Sequence, residues 1–198
     1  MQYAVVDVET TGLHPRQGDQ ILEIAIWTVD DSDPTSLSSY FHQMVRPKKS
    51  LHYMLTGPKT KIHGITRREL RSCATFEYWA SPIYDLLKNK VFVAHNVNFD
   101  AEFINVEFER LGLKAPVSDR LCTGRMAAEL LGDPRGYTSL KKACESLGIP
   151  LTGHHTALCD SEATAQILQR WLNRDSSIEQ DRKTLLELID FSTKAKLK

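Results

Sequence analysis

The run Tyr3-Ala4-Val5-Val6-Asp7-Val8-Glu9-Thr10-Thr11-Gly12 decides how this chain folds. Its valines favour an extended strand over residues 2–8. The stretch Thr11-Gly12-Leu13-His14-Pro15 then breaks that strand. Strand side chains alternate between faces, so Asp7 and Glu9 point one way while Val6 and Val8 enter the opposite layer. Two carboxylates held side by side raise each other's pKa, and a divalent cation removes that penalty.

Working outward, residues 20–29 form a second strand-like run, ended by Asp30-Asp31-Ser32-Asp33-Pro34. Residues 38–46 form a third. Short connections between three strands predict an antiparallel meander. Val91-Phe92-Val93-Ala94 is a continuous apolar run, the pattern of a buried central strand. Residues 117–123 offer one more strand. Helices are expected at a Thr66–Glu69 capping box, at 76–89, 98–111, 124–131 and 138–147, and over 157–172. Strands and helices mixed in this way predict an α/β fold.

The whole chain sets the bounds. Its 198 residues favour one domain with a short appendage, and 41% hydrophobic with 25% charged residues is an ordinary globular composition. No apolar run reaches the ~18–20 residues of a membrane span, and no basic leader precedes Asp7, so a cytoplasmic protein is expected. Cys73, Cys122, Cys144 and Cys159 show no CxxC spacing and read as free thiols. The formal net charge of zero argues against strong nonspecific binding to long duplexes. Residues 46–71 are nevertheless basic, with Glu69 the lone acid, and read either as a solvated face or as a track for a nucleic-acid backbone.

Three acidic clusters carry the chemistry. The first is Asp7 and Glu9. The second is His95-Asn96-Val97-Asn98-Phe99-Asp100, where Asp100 enters the first turn of a helix after the buried strand. The third is His155-Thr156-Ala157-Leu158-Cys159-Asp160. His155 and Asp160 lie ~140° apart on a continuous helix, so they converge only if His155 precedes the helix. Gly153 suits such a loop, and on composition His154 competes with His155 as the general base. Four carboxylates and a histidine suit two divalent ions and hydrolysis of a phosphodiester bond.

In order and spacing these clusters resemble the DEDDh branch of the DnaQ-like 3′–5′ exonucleases. Ile62-His63-Gly64-Ile65-Thr66 matches a further family segment, and the resemblance covers about residues 2–172. It implies a ribonuclease H-like, three-layer αβα fold with a mixed central sheet, in which antiparallel strands 1–3 are followed by parallel ones. It implies that Asp7, Glu9, Asp100 and Asp160 bind two Mg²⁺ or Mn²⁺ ions. The family spacing selects His155 over His154 to take a proton from the attacking water. Thr10 and Thr11, through the backbone, would help hold the terminal 3′-OH, Leu13 and Ile62 would pack on the last base, and Asn96 would support the substrate. The implied substrate is nucleic acid with a free 3′ end, single-stranded or frayed, DNA before RNA. Residues 173–198 lie outside the resemblance. Leu185, Leu186 and Ile189 there give an amphipathic helix, expected to pack on its own domain, with docking onto a polymerase or a dimer mate as the alternative.

Overall fold

Buried β-branched side chains hold Gln2–Thr10 as β1, a strand whose neighbours on both sides are further strands. The structure, a computed structural model, describes residues 1–33, 35–37, 39–48, 63–117, 119–151 and 156–173. Strands β2 (Ile21–Asp30) and β3 (Ser39–Met44) complete the expected antiparallel meander. On the other side β4 (Val91–Ala94) runs parallel to β1, and β5 (Arg120–Cys122) runs parallel to β4. Among the described residues the sheet order is β3-β2-β1-β4-β5. The sheet is therefore mixed, antiparallel on one wing and parallel on the other.

Helices cover both faces. They are α1 (Arg67–Leu70), α2 (Phe76–Leu87), α3 (Val97–Arg110), α4 (Thr123–Leu131), α5 (Leu140–Leu147) and α6 (Ala157–Leu172). Thr66 and Glu69 form the reciprocal capping box at the start of α1. Ala4, Val6 and Val8 of β1 pack with Ile24, Ile26 and Phe92 against Phe76 and Ile83 of α2 and Phe103 and Phe108 of α3. The alternate side chains Tyr3 and Val5 pack with Val93 and Leu121 against Met126 of α4 and Leu168 and Trp171 of α6. One period-two strand thus feeds two cores. Among the described residues no helix is long and apolar enough to cross a membrane.

Strand ends place the site. The β1–β4 pairing stops at Val5–Val93, so β1 runs on beyond the parallel wing with Asp7 and Glu9 near its end. A register shift between Glu9 and Thr10 closes the β1–β2 ladder there. Helix α3 starts just past β4 and carries Asp100 in its first turn, and α6 carries Asp160 in its own.

Candidate active site

The face shared by Asp7 and Glu9 is the one covered by α6, as the alternation along β1 requires. Thr156 caps α6 by accepting the Cys159 N–H at 3.3 Å, and this cap starts the helix so that Asp160 faces β1. Asp7, Glu9 and Asp160 each present an oxygen within 4.8 Å of the others. Asp100 closes the group from the α3 side. It is 4% exposed, and its Oδ1 accepts the Val8 N–H at 3.2 Å, beyond the last β1–β4 pair. Three remote stretches of sequence therefore converge on one end of β1.

Electrostatics set this cluster apart. Burial first, then the charges of Asp100, Asp160, Glu9 and Glu23, push the Asp7 carboxyl well above its usual range. Burial, followed by Glu23, Asp160 and Asp100, raises Glu9 to about 8. Asp100 is pushed by burial to about 7, against the pull of its backbone hydrogen bonds. Among the described residues no lysine or arginine forms an ion pair with Asp7, Glu9 or Asp100. Converging carboxylates of this kind fit a hard divalent cation, which prefers oxygen donors.

The loop after β1 is pinned by a carboxylate of its own. Asp19 accepts the Thr11 hydroxyl at 3.1 Å and the His14 N–H at 2.9 Å. Thr10 donates its hydroxyl to Gly12 O at 2.6 Å, and the Thr11 N–H donates to Gln20 O at 2.9 Å. A methyl group at Gly12 would overlap the Asp19 carboxylate, so any larger residue there would displace the side chain that pins this turn. Leu13 projects from the loop with 62% of its surface exposed. Asn96 is exposed at the N-cap of α3. Ile62, His154 and His155 lie outside the described residues, as do residues 49–62 of the basic stretch and residues 174–198 of the tail.

Sequence reasoning passed over two neighbours of the site. Glu23 of β2 lies opposite Glu9 in the strand register and is 6% exposed. Its signal was available, since it is a lone acid within the apolar run Ile21-Leu22-Glu23-Ile24-Ala25-Ile26. His95 is quoted within the second cluster but carries no assigned role. It is 7% exposed, its Nε2 donates to Thr138 O at 2.9 Å, and its Nδ1 accepts from the Thr123 hydroxyl at 3.0 Å. Burial holds its pKa down at about 4, so His95 is a neutral tie between β4, α4 and the loop before α5.

A family model described as Exonuclease matches residues 4–168. The chain is 28% identical over 173 residues to the 3′–5′ exonuclease DinG of Bacillus subtilis (strain 168), covering 87% of this chain and 18% of that protein. It is 33% identical over 172 residues to a PolC-type DNA polymerase III of Halalkalibacterium halodurans, covering 85% of this chain and 11% of that one. The chain thus spans under a fifth of the length of both curated relatives. Among solved structures, the nuclease domain of 3′hExo, a DEDDh family member bound to rAMP, matches with a TM-score of 0.72 at 20% identity. That match covers 86% of this chain and 91% of the other, and the mixed sheet with its flanking helices is the ribonuclease H-like exonuclease fold.

Proposed function

This chain belongs to the RNase T exonuclease family, and from that premise we propose that it is a metal-dependent 3′–5′ exonuclease. It releases nucleoside 5′-monophosphates one at a time from nucleic-acid 3′ ends. The convergence of Asp7, Glu9 and Asp160 within 4.8 Å, closed by Asp100, carries this reading. These four acids would hold two Mg²⁺ or Mn²⁺ ions. When bound, such a pair supplies the positive charge that the entering and leaving oxygens of an in-line displacement require.

The chain's own residues supply the rest. Asp100, fixed by the Val8 N–H, and Asp160, fixed by the capped first turn of α6, hold their carboxylates without rearrangement during the reaction. His155, assigned from the sequence, takes the proton of the attacking water. Thr10 and Thr11 spend their hydroxyls on the loop itself, so their contribution to the terminal 3′-OH comes through the backbone. Leu13, with Ile62 assigned beside it, packs on the last base. Such apolar stacking tolerates any base, so sequence preference is weak. Asn96 supports the strand from the α3 side.

DNA is the favoured substrate, because the two curated relatives at 28% and 33% identity are the DinG exonuclease and a DNA polymerase. The rAMP held by the 3′hExo nuclease domain supports trimming of RNA as the second reading. The same acids serve either sugar, and contacts to the 2′-OH decide between them. In this reading residues 1–172 are the catalytic unit and residues 173–198 a helical tail packed on it. Action beside a polymerase through that tail is the alternative drawn from the PolC relative.

The test is release of mononucleotides from matched 3′-labelled DNA and RNA oligomers with Mg²⁺, single- and double-stranded. The expected result is stepwise loss from the 3′ end, faster on single-stranded DNA and abolished in Asp7→Asn. Full activity in that variant would overturn the metal assignment. In His155→Ala the rise of rate with pH near ~6.5 should flatten, whereas His154→Ala should keep it.

A further inference from the structure

Glu23 is the third residue of β2, flanked there by the apolar Ile21, Leu22, Ile24, Ala25 and Ile26. Its carboxylate is tied on both oxygens. Oε1 lies 2.6 Å from His42 Nε2 on β3, and Oε2 accepts the Ala157 N–H at 3.3 Å. Ala157 is the first residue of α6, and Asp160 stands three positions on. The amide of a first helical residue has no partner within its own helix, so a buried acceptor there anchors the helix end. Across the ladder Glu23 faces Glu9. One side chain therefore joins β3, β2 and the start of α6, beside a metal-ligand candidate on each of two elements.

We infer that Glu23 is a positioning residue, which sets the distance from Asp160 on α6 to Asp7 and Glu9 on β1 through its bond to the Ala157 amide. The inference rests on the metal-site reading above. A rival role is conceivable for the same carboxylate, as one more negative charge drawing cations towards Glu9. The two roles require different things of position 23. Positioning needs an acceptor at full reach and tolerates a neutral group. Charge needs a carboxylate and tolerates a shorter arm.

Glu23→Gln and Glu23→Asp separate them. Glutamine keeps the length, accepts from Ala157 through its carbonyl oxygen, and donates to His42 once the imidazole presents its other tautomer. Aspartate keeps the charge and loses one methylene of reach. Both keep the strand polar at a position already built for it, so both should fold. Calorimetric titration with Mn²⁺, which needs no turnover, should show an affinity about tenfold or more weaker in Glu23→Asp, the usual cost of losing a group that orients a metal ligand. Glu23→Gln should retain most of that affinity. Hydrogen exchange without metal adds an independent reading, in which the Ala157 amide loses protection in Glu23→Asp and keeps it in Glu23→Gln.

The reverse order of the two variants in calorimetry, or equal protection of Ala157 in both, would overturn the inference. A wild-type protein that binds Mn²⁺ with the expected order of variants but releases no mononucleotide would instead strike the exonuclease reading and leave Glu23 in place. A wild-type protein that binds no Mn²⁺ would overturn both, whatever the exchange data show.

Discussion

Asp133 and the acids at the end of β1 meet opposite surroundings. Asp133, just past α4, has a side chain only 5% exposed. Arg135 lies 2.7 Å from it, Lys142 3.2 Å away, and the Thr138 hydroxyl donates to it at 3.1 Å. These donors, Arg135 foremost, hold its carboxyl well below the usual range. At the end of β1 acids crowd together, and the Val8 N–H is a donor that reaches Asp100. Asp7 and Glu9 are pushed upwards by burial and then by neighbouring acids, and Asp100 by burial. A fold that can pair Asp133 so fully has the means to neutralise an acid. Asp7, Glu9 and Asp100, with no lysine or arginine paired to them among the described residues, are instead suited to cations from outside the chain.

The largest expected effect tests that difference directly. Asp7→Asn should lower the Mg²⁺-dependent rate by about a thousandfold or more, since it removes a group held for the reacting centre. The same change should raise the melting temperature of the metal-free protein, because it relieves repulsion with Asp100 and Asp160. Calorimetry in EDTA and a single-turnover assay measure the two signs. A loss of stability alongside the loss of rate would mean that the cluster is a structural network like that of Asp133.

Metal removal and pH come next. Glu9 is raised to about 8 from an ordinary value of 4.5, and Asp100 to about 7 from 3.8. The folded protein therefore holds protons that the unfolded chain has released in that window. The stability linked to these groups is fully present below the unfolded values and lost as pH rises through the folded ones. In EDTA the melting temperature should climb as pH is taken from about 8 towards about 5. Saturating Mg²⁺ at the upper end should recover most of that loss, because the cation takes the place of the protons.

How much of this was open to a reader of the sequence follows the range of each interaction. The pairing of Asp7 with Glu9 depends on a period of two within one strand, and it could be read locally. So could the buried run Val91–Ala94, and the Thr66–Glu69 cap needs only a spacing of three. The convergence of Asp100 and Asp160 on that strand is non-local, and it was reached through resemblance to a family. Glu23 escaped because its partners, His42 and Ala157, lie 19 and 134 positions away. Nothing around Ile21–Ile26 announces them, beyond the oddity of an acid in an apolar strand. His95 escaped for the same reason, since Thr123 and Thr138 are distant donors and acceptors that make it a tie rather than a base.

Breaking the satisfied acid should have a smaller and different effect. Asp133→Ala removes the acceptor of the Thr138 hydroxyl and the partner of the solvated Arg135 and Lys142, so the melting temperature should fall by about two to four degrees at neutral pH. The turnover per folded molecule should hold, because Asp133 bonds to Arg135, Thr138 and Lys142 and not to the β1 acids. Thermal melts and a rate corrected for folded fraction check both halves. A rate that falls with Asp133→Ala would erase the contrast between the two sites.

His95 titrates too, and its sign opposes that of the carboxylates. Its pKa falls from 6.5 to about 4 in the folded protein, because burial disfavours the imidazolium. As pH drops, the unfolded chain takes up this proton first. The stability that neutral His95 contributes is complete above about 6.5 and is lost as pH falls through about 4, by roughly 2 kcal/mol at pH 5 on an order-of-magnitude reckoning. The acid limb of the metal-free melting curve should therefore flatten as the gain at Asp100 and Glu9 meets the loss at His95. Replacing His95 with asparagine lowers stability at neutral pH by breaking the ties to Thr123 and Thr138. It also removes the titrating group, so the gap in melting temperature between variant and wild type should narrow from pH 7 to pH 5. A gap that stays constant would mean that His95 is protonated alike in both states, and its buried, hydrogen-bonded seat would then have to open in solution.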